Sequence, residues 1–447
     1  MIKTIDENKK SRVFLFWAVI LYLGYDFSIL FKNILGITVS VFVGLFAFVV
    51  YLILSTIYLR LSILEALIVL FPLCINSSYV NVLGMDYSSV PITWFFLICM
   101  FLVVASIFKR RFWIIGLLTF SMLTIYFLVM LIIRPSSDIK NSINQFINIA
   151  LFILIVSIVP ALHTVWSKHT EMLVTKTYIY AVLSYSIMVV TQATLYKSLS
   201  ITVGNIMSVY MRISYGATMS DYSFSTLYIA SGIIMLIAMI FNKSKVFNRA
   251  KIIIFMILLF YALITVNART GLFALAFAVA LFMFIMVIRE KKYYMLIVGI
   301  LLIPVFIYAF MTMAGNRMSQ SLLESSNRIQ GYLNGLNVFE SNLIMGLGFG
   351  TQNFKNATGQ AIPHNLIIQF LAQFGLFGFG ILLITFIPIT RKIISNNNCF
   401  KWAFLTVIIG AMLIPDIISS HFLSVVTVCA LCCSANGSNE LEEIKDE

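Results

Sequence analysis

Apolar runs of about twenty residues, the length of a helix that crosses a bilayer, recur from one end of this chain to the other. That recurrence constrains the fold more than any single motif. Inside lipid every backbone N–H and C=O needs an internal partner, and a helix supplies all of them within one segment. The chain therefore reads as an all-α polytopic membrane protein with about 12–14 transmembrane helices. Composition agrees. Hydrophobic residues make up 61% and charged residues 11%, with a mean hydropathy of +1.00. A soluble domain would carry about twice that charged share.

The net charge of +13 raises the question of a polyanion partner, and its placement answers it. With the N-terminus inside, all but nine of the 30 basic residues fall on cytoplasmic segments. The nine are Lys32, Arg134, Lys140, Lys197, Arg212, Arg269, Arg317, Arg328 and Lys355. This bias follows the positive-inside rule, so the basic balance is a topology signal. Nucleic acid is not an expected partner: no basic run is interleaved with aromatic residues. The basic N-terminal segment leads into an apolar run without a small-residue cleavage site, and reads as a retained first span. The same topology places both termini in the cytoplasm.

The expected organisation has four parts. Residues 1–314 form a bundle of about eleven spans, each about twenty residues long. Residues 315–363 form a long extracytoplasmic loop, residues 364–436 the C-terminal spans, and residues 437–447 an acidic cytoplasmic tail. Inside the loop, Ile329, Tyr332, Leu333, Leu336 and Phe339 recur at helical spacing behind the capping serines Ser325 and Ser326. They predict a short helix lying outside the membrane. Gly346-Leu-Gly348-Phe-Gly350 then reads as a flexible turn, and the chain returns to the bilayer at Pro363-His364-Asn365. The apolar run that follows predicts one span over about 364–389.

Several chemistries lack their residues. The six cysteines lie in or beside apolar runs, with no zinc spacing to histidine, and Cys429-x-x-Cys432-Cys433 reads as helix packing, with lipidation or a metal as the lesser reading. No Walker A loop and no His-Glu-x-x-His stretch occurs, so no nucleotide cofactor or metal is expected. The Gly346 to Gly350 run follows no strand and is not a dinucleotide fingerprint. The outer acids form no Asp-x-Asp pair, which argues against a metal-dependent glycosyltransferase.

What remains is a set of outer arginines and one well-placed histidine. Arginine stays charged and grips phosphate through two parallel hydrogen bonds. Arg269, in VNARTGLFAL, sits between two apolar runs on a turn too short to carry it into water. It is either an intramembrane functional cation or a side chain snorkelling to lipid phosphate. Arg212, Arg317 and Arg328 lie in outer segments, where a solvated charge is the alternative. His364 stands at the mouth of the long loop, as a general base or as a helix-start residue. Asn365 beside it can orient a ligand or cap the helix. His421, near Asp416, is the fallback histidine.

Taken in order, these features resemble the O-antigen ligase and Wzy-type polysaccharide polymerase superfamily. The likeness rests on Ala268-Arg269-Thr270-Gly271, the long loop with Arg328 and Tyr332, the Gly346 to Gly350 run, and His364-Asn365 before a span with Gly375 and Gly378. Tyr332 stands where a tryptophan is common in that family. The resemblance implies a GT-C-like membrane glycosyltransferase, independent of metal and nucleotide. It would act on undecaprenyl-diphosphate-linked oligosaccharide at the outer face of the bacterial cytoplasmic membrane. It implies catalytic roles for His364, Arg269 and Arg212, and substrate binding by Arg328, Asn365, Arg317 and Tyr332. A flippase and a chain-length regulator of the same pathway are the partners it implies. Polymerisation of repeat units into capsule, exopolysaccharide or O-antigen is the first expectation. Ligation to another acceptor is the second, and a flippase or transporter of lipid-linked sugar is the third.

Overall fold

The computed structural model of the chain describes residues 10–20, 23–24, 42–75, 94–109, 113–162, 167–198, 222–242, 246–315, 324–396, 398–418 and 421–433. Among the described residues there is no strand. The helices in chain order are α1 (residues 10–20), α2 (Phe42–Ile53), α3 (Ile63–Leu70), α4 (Trp94–Lys109), α5 (Ile114–Ile133), α6 (Ile139–Leu162), α7 (Lys168–Ser198) and α8 (Tyr222–Phe241). They continue as α9 (Arg249–Val266), α10 (Arg269–Glu290), α11 (Tyr294–Gly315), α12 (Glu324–Ser341), α13 (Thr351–Thr358), α14 (Leu366–Ser395), α15 (Phe400–Ala411) and α16 (Phe422–Cys432). Among the described residues, 8 helices are long and apolar enough to cross a membrane: α5 to α11 and α14. Shorter apolar helices add to them near both ends. The chain is an all-α polytopic membrane protein.

The helices fall into two compact units. One comprises residues 1–82, 172–319 and 402–410, the other residues 83–171, 320–401 and 411–447. In the first unit α8 is the buried centre, with nearly every side chain from Ser223 to Met239 out of contact with the surroundings. Its small and hydroxylated residues explain this, because without a water-driven hydrophobic effect membrane helices associate through close packing and hydrogen bonds. Tyr178 and Ser231 hydroxyls meet at 2.6 Å, and Tyr185 bonds Ser225. The closest approach is at Gly271 of α10. A Cβ there would lie 2.3 Å from the Thr226 carbonyl oxygen, so only glycine lets α10 cross α8 at this point. The Gly271 amide also donates to Thr226 Oγ1 at 3.2 Å.

In the second unit α5, α6, α14 and α16 pack around one another, and α12 lies against α14. α5 turns Ile114, Leu118, Ile125 and Ile132 outward at helical spacing, an apolar stripe suited to lipid. α14 has 30 residues, more than the about 20 that a bilayer needs, and it is broken at Gly375 (φ 59°, ψ −168°). The segment between α12 and α13 fills the break. Leu376 and Phe377 amides donate to the Leu343 and Ile344 carbonyls at 2.8 and 3.0 Å. In return, Leu347 and Gly348 amides donate to the Ala372 and Gln373 carbonyls at 3.0 and 2.7 Å. Non-helical backbone at this depth is tolerated because neighbouring chain takes up its polar groups.

The glycine run is therefore held, not flexible as its composition suggested. Gly346, Gly348 and Gly350 all have positive φ. A Cβ on Gly346 would sit 2.4 Å from the Gln373 carbonyl oxygen. Tyr126 of α5 donates its hydroxyl to the Met345 and Phe374 carbonyls at 2.7 and 3.1 Å, and Ser142 of α6 donates to the Phe349 carbonyl at 2.7 Å. A small apolar cluster of Val338, Phe354, Ile362 and Ala372 fixes α12 and α13 to α14.

Candidate functional site

α14 starts with a side-chain cap. Asn365 Oδ1 accepts from the Ile367 and Ile368 amides at 3.0 and 3.1 Å, satisfying two donors that every helix start leaves open. Its Nδ2 donates to the Met412 carbonyl at 3.3 Å, tying the cap to the turn after α15. Of the two sequence readings for Asn365, the structure displays the cap.

His364 precedes that cap and is half-buried. The Tyr332 hydroxyl, from α12, donates to the His364 carbonyl at 3.1 Å. Gly335 lets α12 come this close, since a Cβ there would lie 2.5 Å from Ile368 Cγ2 and 2.8 Å from Pro363 Cγ. Between these elements opens a pocket of about 330 Å³, lined by Arg328, Gly331, Gln360, Ala361, Ile362, Pro363 and His364. Gln360 is held at its rim by a 3.0 Å bond from Asn334 Nδ2. Arg328, exposed in the first turns of α12, faces a helix dipole that disfavours a cation, so an anion in this pocket would improve its position. The pocket thus has a histidine and an arginine in its lining, residue types suited to accepting a proton and to gripping phosphate.

Arg269 belongs to the other unit. Asn267, in the left-handed conformation (φ 58°), ends α9, and Arg269 opens α10. Its guanidinium carbon lies 5.3 Å from the centre of the Phe310 ring, a cation–π contact. Its Nε is buried without a hydrogen-bond partner among the described residues. A buried donor left open beside hydrocarbon is costly, and an anion would satisfy it. Arg212 and Arg317 lie outside the described residues. His421 is 1% exposed, stacked on Phe95 at 4.2 Å, with neither ring nitrogen hydrogen-bonded among the described residues. It is fully buried, whereas His364 lines the pocket.

Three buried glutamines brace the glycine turn and the break in α14. Gln145 and Gln373 pair across α6 and α14, with amide-to-oxygen distances of 3.1 and 3.3 Å. The Gly350 amide donates to Gln145 Oε1 at 2.6 Å, and Gln373 Nε2 donates to the Gly350 carbonyl at 3.1 Å. Gln369 Nε2 donates to Gln373 Oε1 at 3.0 Å, and its own Oε1 accepts the Asp416 amide at 2.8 Å. This buried chain links α6, the glycine turn, α14 and the α15–α16 turn. The signal was present: Gln369 and Gln373 stand four apart inside an apolar run, where an uncharged polar residue needs a partner.

These features define a multi-pass membrane protein with an anion-suited pocket at the head of a broken helix. Residues 253–383 match the model of a family described as O-antigen ligase, Wzy_C, a match that supports the O-antigen ligase/Wzy superfamily for this chain. The matched segment contains Arg269, Arg317, Arg328, Tyr332, His364 and Asn365, while Arg212 precedes it. No curated protein and no solved structure matches the chain.

Proposed function

We propose that this protein is a membrane glycosyltransferase that joins undecaprenyl-diphosphate-linked oligosaccharide repeat units. Its product would be capsular polysaccharide, exopolysaccharide or O-antigen, made on the outer face of the bacterial cytoplasmic membrane. The observation that supports this reading is the pocket whose lining includes both His364 and Arg328, within the segment matched to the O-antigen ligase family model.

The chemistry needs a proton acceptor and a stabilised leaving group. His364 takes the proton of the attacking sugar hydroxyl as its oxygen bonds to the anomeric carbon of the donor. The bond from that carbon to the diphosphate oxygen breaks, and its electron pair leaves with undecaprenyl diphosphate. Attack opposite the leaving group inverts the anomeric configuration. Negative charge grows on the diphosphate in the transition state, and fixed cationic donors stabilise it there more than in the ground state. Arg328 offers such a donor in the pocket, and the resemblance assigns the same work to Arg269 and Arg212, with Arg317 and Tyr332 binding substrate. Cleavage of the bond between the anomeric carbon and the diphosphate drives the transfer, so no nucleotide is consumed.

Removing the base should lower turnover by about 10²–10⁴-fold. His364→Ala and Arg269→Ala variants, assayed on lipid-linked donor at saturating concentration, test the two roles; wild-type turnover in either variant removes that residue from the mechanism. The second reading is transfer of a finished lipid-linked glycan to a different acceptor, and the family description as O-antigen ligase favours it. The two readings share donor chemistry and differ in whether the product stays on a polyprenyl lipid.

A further inference from the structure

α12 carries more apolar side chain on its outer surface than a helix bathed in water should. Its buried face is Gly331, Gly335 and Val338; Gly335 meets Pro363 and Ile368, Val338 packs with Ala372 of α14, and Gly331 opens onto the pocket. On the roughly opposite face Ile329, Leu333 and Leu336 recur at i, i+4 and i+7, and Ile329 is 60% exposed. A separate flank holds the polar Gln330, Asn334, Asn337 and Ser341. Beyond the helix the exposed apolar surface continues through Leu343 and Ile344, the latter 65% exposed. Glu340 is exposed on this same face.

Two observations relate this surface to the spanning helices. First, the Leu343 and Ile344 carbonyls accept directly from Leu376 and Phe377 of the spanning helix α14, whose own side chains are exposed. The stripe on α12 is thus continuous with the lipid-facing side of α14. Second, Tyr126 hydrogen-bonds the Met345 carbonyl, and lipid-facing residues of α5 continue past Tyr126 to Ile132 and Ile133. Seven residues of helix are about 10 Å, so the turn at Met345, just after α12, lies about that far inside the Arg134 end of α5.

We propose that the apolar stripe of α12 and the turn after it is seated in the bilayer leaflet on the Arg134 side. Lipid packs on Leu333, Leu336, Leu343 and Ile344, and the first turns of α12 reach the polar boundary. The helix is then not a soluble excursion. It brings Arg328 and the pocket beside His364 to the phosphate level of that leaflet. A diphosphate attached to a membrane lipid reaches the pocket at that level without being lifted from the bilayer.

The test uses the full chain in phosphatidylethanolamine–phosphatidylglycerol vesicles and reads no enzymatic activity. Benzoylphenylalanine is placed singly at Leu333, Leu336 or Ile344, at Phe377 as the lipid-facing reference, and at Asn337 as the polar-flank control. After irradiation, phospholipid adducts are measured by mass spectrometry on protein whose thermal unfolding matches wild type. Adducts at Leu333, Leu336 and Ile344, at yields comparable to Phe377 and an order of magnitude above Asn337, are expected. Phospholipid adducts at Phe377 but not at the α12 positions overturn the proposal, as does crosslinking of those positions to a second copy of the chain.

Discussion

Arg269 is placed by its neighbours on the chain and by its contact across to α11. Asn267 closes α9, Gly271 presses the first turn of α10 onto Thr226, and Phe310 lies under the guanidinium. Gly271→Ala would put a methyl group 2.3 Å from a backbone carbonyl. It should destabilise the protein by about 1–3 kcal/mol and lower its thermal midpoint in detergent; an unchanged midpoint would mean that α10 is free to shift. Arg269→Lys keeps the charge but loses the planar fork, and should lower turnover with lipid-linked donor by about ten-fold or more. Wild-type turnover in that variant would leave Arg269 as a plain lipid-facing cation. Tyr332 works at one remove, through the His364 carbonyl. Loss of a hydrogen bond worth about 1 kcal/mol should make Tyr332→Phe about five-fold slower with donor KM unchanged. A change in KM with turnover intact would instead put the Tyr332 hydroxyl on substrate.

At the scale of the element, the break in α14 joins sequence to site. The run from Leu366 onward reads as one apolar helix, because no proline marks the kink and the glycines of LFGFG are ordinary in membrane helices. The break exists because the 343–348 segment supplies the hydrogen bonds that the helix gives up. Such an exchange between segments distant in sequence has no local signature. The same holds for the glycines at 346, 348 and 350, whose composition signals freedom while their positive φ values serve a fixed weave. The three glutamines show what such a weave costs to cut. Gln373→Leu would strip partners from Gln145, Gln369 and the Gly350 carbonyl at once. Each buried group left open costs about 1–3 kcal/mol, so this variant should lose several degrees of thermal stability. A wild-type thermal midpoint in Gln373→Leu would show that the ladder contributes packing and not hydrogen bonds.

For the whole molecule, the architecture was legible because lipid allows so few solutions. Apolar runs and the sparse charge specify a helical membrane protein, and the helix after the long polar segment begins one residue past Asn365. The candidate site was legible in part. His364 and Arg328 were chosen separately, one for its place at the head of a span and one for its charge, and the fold brings them to one pocket. Tyr332 was chosen for its type and turns out to hold the backbone of His364. Gln369 and Gln373 stand out inside an apolar run, but their partners are not legible, because the pairing forms between α6, α14 and the turns beside them. Arg212 rested on loop order alone and lies outside the described residues.

The central claim is that a histidine and arginines at a membrane surface transfer a glycan from a diphosphate lipid. Its most direct test is purified protein reconstituted with a synthetic undecaprenyl-diphosphate repeat unit, without nucleotide or added divalent metal. The account predicts a ladder of longer lipid-linked glycans that disappears in His364→Ala. No glycan product from the lipid-linked donor, with transbilayer movement of that donor instead, would contradict it and make the protein a transporter.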